Sequence, residues 1–167
     1  MLEIVPSLRP DSDWGGMDEP VITPPIDPGI PDYRRRYSGI CMDPVLRKAI
    51  EMAAVDQATE HYVGLGYEVK DVGLTHSYDL EAIREDEVRH IEVKGSQAHI
   101  EKIQLTRNEV NHANTFENTD LVLVAEIQWT RLEDGGILTE SGLMQVIPNW
   151  RPSPENLKPT TFEYFLD

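Results

Sequence analysis

Val88-Arg89-His90-Ile91-Glu92-Val93-Lys94 is the stretch whose reading decides the fold. Side chains of a β-strand point alternately to opposite faces, so Ile91 and Val93 fall on one side and His90, Glu92 and Lys94 on the other. One face belongs in a core; the other carries opposite charges two residues apart. Just upstream, Tyr78 to Ile83 also reads as a strand, and Arg84-Glu85-Asp86-Glu87 reads as the turn of a hairpin. A turn there sets Asp79 opposite the Glu92–Lys94 end of the partner strand. Two carboxylates and one ammonium then converge.

Working outward, Tyr67 to Val72 alternates with period two and forms a third strand candidate. Before it, Asp43-Pro44 supplies an N-cap and a first-turn proline. Leu46, Ile50, Ala53, Ala54, Ala58, Tyr62 and Leu65 then recur at helical spacing, and Gly64 and Gly66 close the helix. After the hairpin, Thr106-Arg107-Asn108-Glu109 has the form of a capping box, which predicts a second helix with Val110, Ala113 and Phe116 on its apolar side. Leu121 to Ile127 is the most apolar run and suits a strand buried on both faces. The order helix, three-stranded meander, helix, strand predicts an α/β fold.

Residues 43–132 form the predicted core. Residues 1–42 are acidic and broken repeatedly by Pro and Gly, which predicts a poorly ordered tail. Trp14, Tyr33 and Arg34-Arg35-Arg36 within it have the composition of a docking strip. Residues 133–167 are proline-punctuated yet carry Met144, Val146, Ile147, Trp150, Phe162, Tyr164 and Phe165, so they are expected to strap onto the core in extended form.

The 167 residues, 40% of them hydrophobic, suffice for one ordinary core. The single Cys41 excludes an internal disulfide framework and a cysteine-based zinc site within one chain. The five histidines show no paired ligand spacing, which argues against zinc. No basic-then-apolar leader opens the sequence and no apolar run approaches the roughly 18 residues that span a bilayer. A cytoplasmic protein without membrane attachment is expected. Charge is the awkward feature: 30 acidic against 15 basic residues give −15, spread along the chain. Proteins that grip nucleic acid unaided neutralise phosphates with Lys and Arg, so weak free binding is expected.

The Asp79, Glu92 and Lys94 cluster suits phosphodiester hydrolysis. Hard carboxylate oxygens hold Mg²⁺ or Mn²⁺, which keeps several waters and takes a substrate phosphate oxygen. Such an ion offsets transition-state charge and acidifies bound water. Lys94 beside it orients or deprotonates the attacking water; neighbouring carboxylates favour the ammonium form, hence positioning. An E-x-K triplet alone is weak, because charged alternation is common on strands. Its setting, with an acid on the preceding strand and helices before and after, is what gives it weight.

Tyr78-Asp79-Leu80, Ile91-Glu92-Val93-Lys94-Gly95-Ser96 and Leu105-Thr106-Arg107-Asn108-Glu109 together resemble the protein NO VEIN C-terminal-like domain, a branch of the PD-(D/E)xK phosphodiesterase superfamily found in bacterial defence and restriction contexts and beside helicases. The likeness runs from about Arg47 to Ile127. It implies a restriction-endonuclease-like core with Asp79 and Glu92 as metal ligands and Lys94 at the water. Arg47-Lys48-Ala49-Ile50-Glu51 matches the first-helix pattern of the superfamily, which implies Glu51 as a further metal-site acid. Gln104 resembles a glutamine of some relatives, but the tyrosine expected four residues later is Asn108 here. Thr106 at a helix N-terminus, with Lys102, Gln104 and Arg107, makes up the expected substrate contacts.

The leading expectation is a metal-dependent nuclease acting on nucleic acid, DNA above RNA. Its acidity implies delivery by a basic subunit or helicase, or self-association as a homodimer, as suits an antiviral defence effector. The alternative is a catalytically idle nuclease-fold subunit that binds protein partners.

Overall fold

The computed structural model describes residues 43–160; the expected tail, Cys41 and the last aromatic residues lie outside them. The architecture is mixed α/β and compatible with a restriction-endonuclease-like core. Helix α1 spans Pro44–Gly64; strands β1 (Glu68–Asp71), β2 (Leu80–Arg84) and β3 (Glu87–Gly95) follow. Helix α2 (Arg107–Thr115) leads to β4 (Thr119–Ala125), then to β5 (Trp129–Arg131), β6 (Ile137–Thr139) and β7 (Leu143–Ile147).

The ends of α1 are set by local chemistry. Asp43 accepts hydrogen bonds from the Val45 and Leu46 amides, and Pro44 occupies the first turn. At the other end Gly66, at φ +87°, takes the left-handed conformation that lets its amide reach Val63 and the Tyr67 amide reach Tyr62. These paired bonds satisfy carbonyls the helix would otherwise leave open. Leu46, Ile50, Ala54, Ala58 and Tyr62, spaced by four, are buried; Leu65, expected on the same stripe, is half-exposed beyond the last turn.

Strands β1, β2 and β3 form an antiparallel meander, β3 and β4 run parallel, and β7 closes the far edge, in the order β1-β2-β3-β4-β7. Parallel neighbours need a crossover, and α2 supplies it. The hairpin pairs Leu80 with Ile91 and Arg84 with Glu87 around a two-residue turn whose first residue, Glu85, sits at φ 54°. Residues 143–147, read from the sequence as part of an extended strap, are thus an edge strand hydrogen-bonded to β4. Strands β5 and β6 pair separately.

One face of the sheet packs against α1 through Leu80, Ala82, Ile91, Val93, Val122 and Val124. Burial of each of the larger of these side chains contributes about 1.5–3 kcal/mol. The other face carries His90, Glu92 and Lys94 toward α2, whose His112 and Phe116 rings lie against His90. No described helix is long and apolar enough to cross a membrane.

A second buried carboxylate, Asp120 on β4, is fully occupied. It accepts from the Tyr62 hydroxyl at 2.7 Å, from Arg89 Nη1 at 2.9 and 3.1 Å, and from the Asn149 amide at 2.9 Å. This ties α1, β3, β4 and the turn after β7 together.

Gly95, at the end of β3, meets α1 so closely that a Cβ would lie 2.7 Å from the Ala54 methyl and 2.9 Å from the Ile50 carbonyl oxygen. Because the second contact is backbone, the helix itself would have to shift. Gly95→Ala is expected to destabilise the protein by about 1–3 kcal/mol, read as a lower urea midpoint at unchanged slope.

Candidate active site

Asp79 sits one residue before β2 and already belongs to the ladder. Its amide donates to Ile91 O at 2.9 Å and its carbonyl accepts from Val72 N at 2.8 Å. Its side chain extends the pairing, with Oδ2 accepting from the Val93 amide at 2.8 Å. The carboxylate is therefore fixed to the strand that carries Glu92 and Lys94. Its other oxygen faces Gly73, where a Cβ would come within 3.2 Å of Oδ1. Burial raises the Asp79 pKa; the Val93 amide and Lys94 oppose this, and Glu109 and Asp71 add to it.

Glu92, on the next position across, is 2% exposed. Its Oε1 lies 2.5 Å from Lys94 Nζ, a close ion pair. Burial pushes its pKa up from 4.5 to about 8, Lys94 pulls it down, and Asp79 raises it again. Lys94 is also 3.5 Å from Glu109 Oε2. Burial works to lower the lysine pKa, but Glu92, Glu109 and Asp79 prevail and the net shift is upward. The side chain is an ammonium, suited to orienting a water or a phosphate oxygen rather than to removing a proton.

Asp79, Glu92, Glu109 and Thr106 line one recess of about 200 Å³, rimmed by His76, Tyr78 and Asn108. A larger hollow of about 290 Å³ lies beside Tyr62, Tyr67, Arg84 and Arg89, at the Asp120 network. Its arginines are already bonded to Glu87 and Asp120, so it offers little unsatisfied chemistry.

The structure thus brings Asp79, Glu92 and Lys94 together as the strand arithmetic requires. Glu51 is not with them: it is exposed, 3.8 Å from Lys48 on the surface of α1, and does not line the recess. The physical reason is facial. Helix α1 packs on the Ile91/Val93 side of the sheet, whereas Glu92 and Lys94 project from the other. Thr106 reaches the recess, but its hydroxyl is engaged by the Glu109 amide at 3.2 Å. Lys102, Gln104 and Arg107 are exposed around the start of α2.

Sequence reasoning missed the packing beside the recess. His90 is stacked between Tyr78 (3.9 Å between centroids) and Phe116 (3.7 Å), and its Nδ1 lies 2.9 Å from His112 Nε2. Burial, with His112 next, lowers the His90 pKa to about 4. This imidazole is therefore a neutral packing element. The i, i+4 spacing of His112 and Phe116 was the available signal.

The recess offers carboxylate oxygens, the donor type that a hard divalent cation takes. Asp79, Glu92 and Glu109 line the recess, and the Lys94 ammonium lies beside Glu92 and Glu109. Among the described residues no group of three or more His, Cys, Asp or Glu is placed so as to hold a metal ion. Mg²⁺ needs only one or two carboxylates because it keeps its waters.

Residues 50–128 match the family model described as Protein NO VEIN, C-terminal. The matched stretch contains Asp79, Glu92, Lys94, Thr106 and Glu109 and ends just before β5. No curated protein and no solved structure matches the chain.

The raised Glu92 pKa has a stability consequence. In the unfolded chain this carboxyl ionises near 4.5, whereas in the folded metal-free protein it holds its proton to about 8. The folded state binds the extra proton in that window, so this contribution is complete below the lower value and is lost as pH rises through the upper one. Glu92→Gln is expected to melt higher than wild type at pH 8 in chelator, with the difference shrinking toward pH 5. Thermal melts across that range check it, and equal pH slopes for the two proteins would contradict it.

Proposed function

We propose that the protein is a metal-dependent phosphodiesterase that cuts nucleic acid, DNA above RNA, with Asp79 and Glu92 holding Mg²⁺ or Mn²⁺ and Lys94 at the hydrolytic water. The observation that carries this reading is the buried Glu92 carboxylate, ion-paired with Lys94 and lining the same recess as Asp79. A carboxylate buried this deeply needs cationic partners, and a bound ion would add to the one that Lys94 supplies. Such an ion, when bound, supplies charge for the transition state and a more acidic water.

The chain's own residues do the rest. The Val93 amide holds Asp79 in one orientation, so little reorganisation remains when substrate arrives. The ammonium of Lys94 points a water or a non-bridging phosphate oxygen along the line of attack. The Tyr78–His90–Phe116 stack walls one side of the site without adding charge. Glu51, turned away with Lys48, takes no part in this reading.

The charge of −15 shapes how substrate is met. Few phosphates can be neutralised by so acidic a surface, so free binding is weak and salt-sensitive. Delivery by a basic subunit or a helicase, or by pairing of two copies, supplies the missing attraction. This agrees with the defence and restriction contexts implied by the NO VEIN likeness.

In a low-salt panel of single- and double-stranded DNA, RNA and supercoiled plasmid, cutting is expected with Mg²⁺ or Mn²⁺ and not with chelator. Asp79→Ala and Lys94→Ala should each reduce it on the order of a hundredfold or more. Independently of turnover, Mn²⁺ should raise the melting temperature of wild type and leave Asp79→Ala and Glu92→Ala unmoved. Variants that cut as well as wild type, or a wild type unmoved by metal, would instead favour the reading as an idle interaction subunit, for which the strong acidity is the supporting feature.

A further inference from the structure

We propose that Glu109 is a positioning residue for Lys94, holding the lysine ammonium from the same carboxylate oxygen that closes the cap of α2. The inference rests on the hydrolytic role of Lys94 given above. Glu109 Oε2 accepts from the Thr106 amide at 2.8 Å and lies 3.5 Å from Lys94 Nζ. The Glu109 amide in turn donates to Thr106 Oγ1 at 3.2 Å, so the box is reciprocal and the carboxylate has little freedom.

The cap does not need the charge. A glutamine at the third position of a helix closes a capping box as a glutamate does, because only an acceptor oxygen is required. The negative charge has its use at Lys94. That side chain leaves β3 on four flexible carbons and meets Glu92 on its own strand at 2.5 Å. One acceptor sets the distance of the ammonium from its own strand; a second, on α2, sets its direction between strand and helix. Glu109 also lines the recess with Asp79 and Glu92, so the ammonium is held at the place where water and phosphate would meet the metal. Helix α2, which follows the catalytic strand and crosses to β4, thereby sets where the lysine points. The partial positive charge of its N-terminus favours a carboxylate in this first turn.

The test separates charge from cap. Lysine ammonium groups held in ion pairs exchange slowly enough to be seen in proton–nitrogen NMR correlation, and the Lys94 signal is identified by its loss in Lys94→Ala. In Glu109→Gln the melting temperature should fall by less than in Thr106→Ala while the Lys94 signal broadens or moves. With cleavable DNA, kcat should fall on the order of tenfold and KM should change by less than about twofold. Thr106→Ala, which removes the hydroxyl half of the cap but keeps the backbone donor to Glu109, should lower the melting temperature and leave the Lys94 signal in place. An unmoved Lys94 signal in Glu109→Gln, or equal movement in Thr106→Ala, overturns the proposal and leaves Glu109 a cap. A moved signal in Glu109→Gln alone, together with undiminished cutting by Lys94→Ala, sustains the positioning and overturns the hydrolytic reading of Lys94.

Discussion

A carboxylate with 2% exposure in the middle of a five-stranded sheet is the constraint around which this molecule is arranged. Glu92 cannot be moved to the surface without turning Ile91 and Val93 out of the core, because the pleat ties the three together. The core packs on one side and the charge is left on the other. What stands on that second side, namely Lys94, Asp79 anchored to the Val93 amide, and the start of α2, is the surrounding such a buried charge requires.

The contrast with Asp120 makes the point sharper. Both acids are 2% exposed and both lie on central strands. Asp120 accepts from a tyrosine, an arginine and a backbone amide. Its network joins four parts of the fold and faces no vacant chemistry. Glu92 is paired with the Lys94 ammonium and lines a recess with Asp79 and Glu109. Asp120 is held by partners on three other parts of the fold, whereas Glu92 borders open space. Burial alone therefore does not distinguish a site from a brace, whereas the inventory of donors does.

Much of this was legible in the residues. Period-two alternation through Ile91, Glu92 and Val93, the turn at Arg84 to Glu87, and the cap signals at Asp43 and Thr106 fixed the elements, because each depends on local chemistry. The opposition of Asp79 and Glu92 followed from the turn position alone. The position of Glu51 was not legible, since helical spacing names the buried stripe of α1 but not the sheet face that receives it. The role of Leu143 to Ile147 escaped for a related reason: five residues of mixed exposure among prolines look like any extended segment until their partner strand is known. The His90–His112 contact, joining residues 22 apart in sequence across strand and helix, leaves no pattern in a linear reading.

The pairing of β7 with β4 also bears on what counts as the minimal folding unit. The matched family stretch stops at residue 128, before β7 is reached. A chain trimmed to that stretch would leave the outer side of β4, with Val122 and Val124, as a bare row of amides and carbonyls on a strongly apolar strand. Such a margin is a template for adding strands from other molecules. The last strand thus acts as a guard for the most aggregation-prone segment of the protein, and the autonomy of the fold includes it.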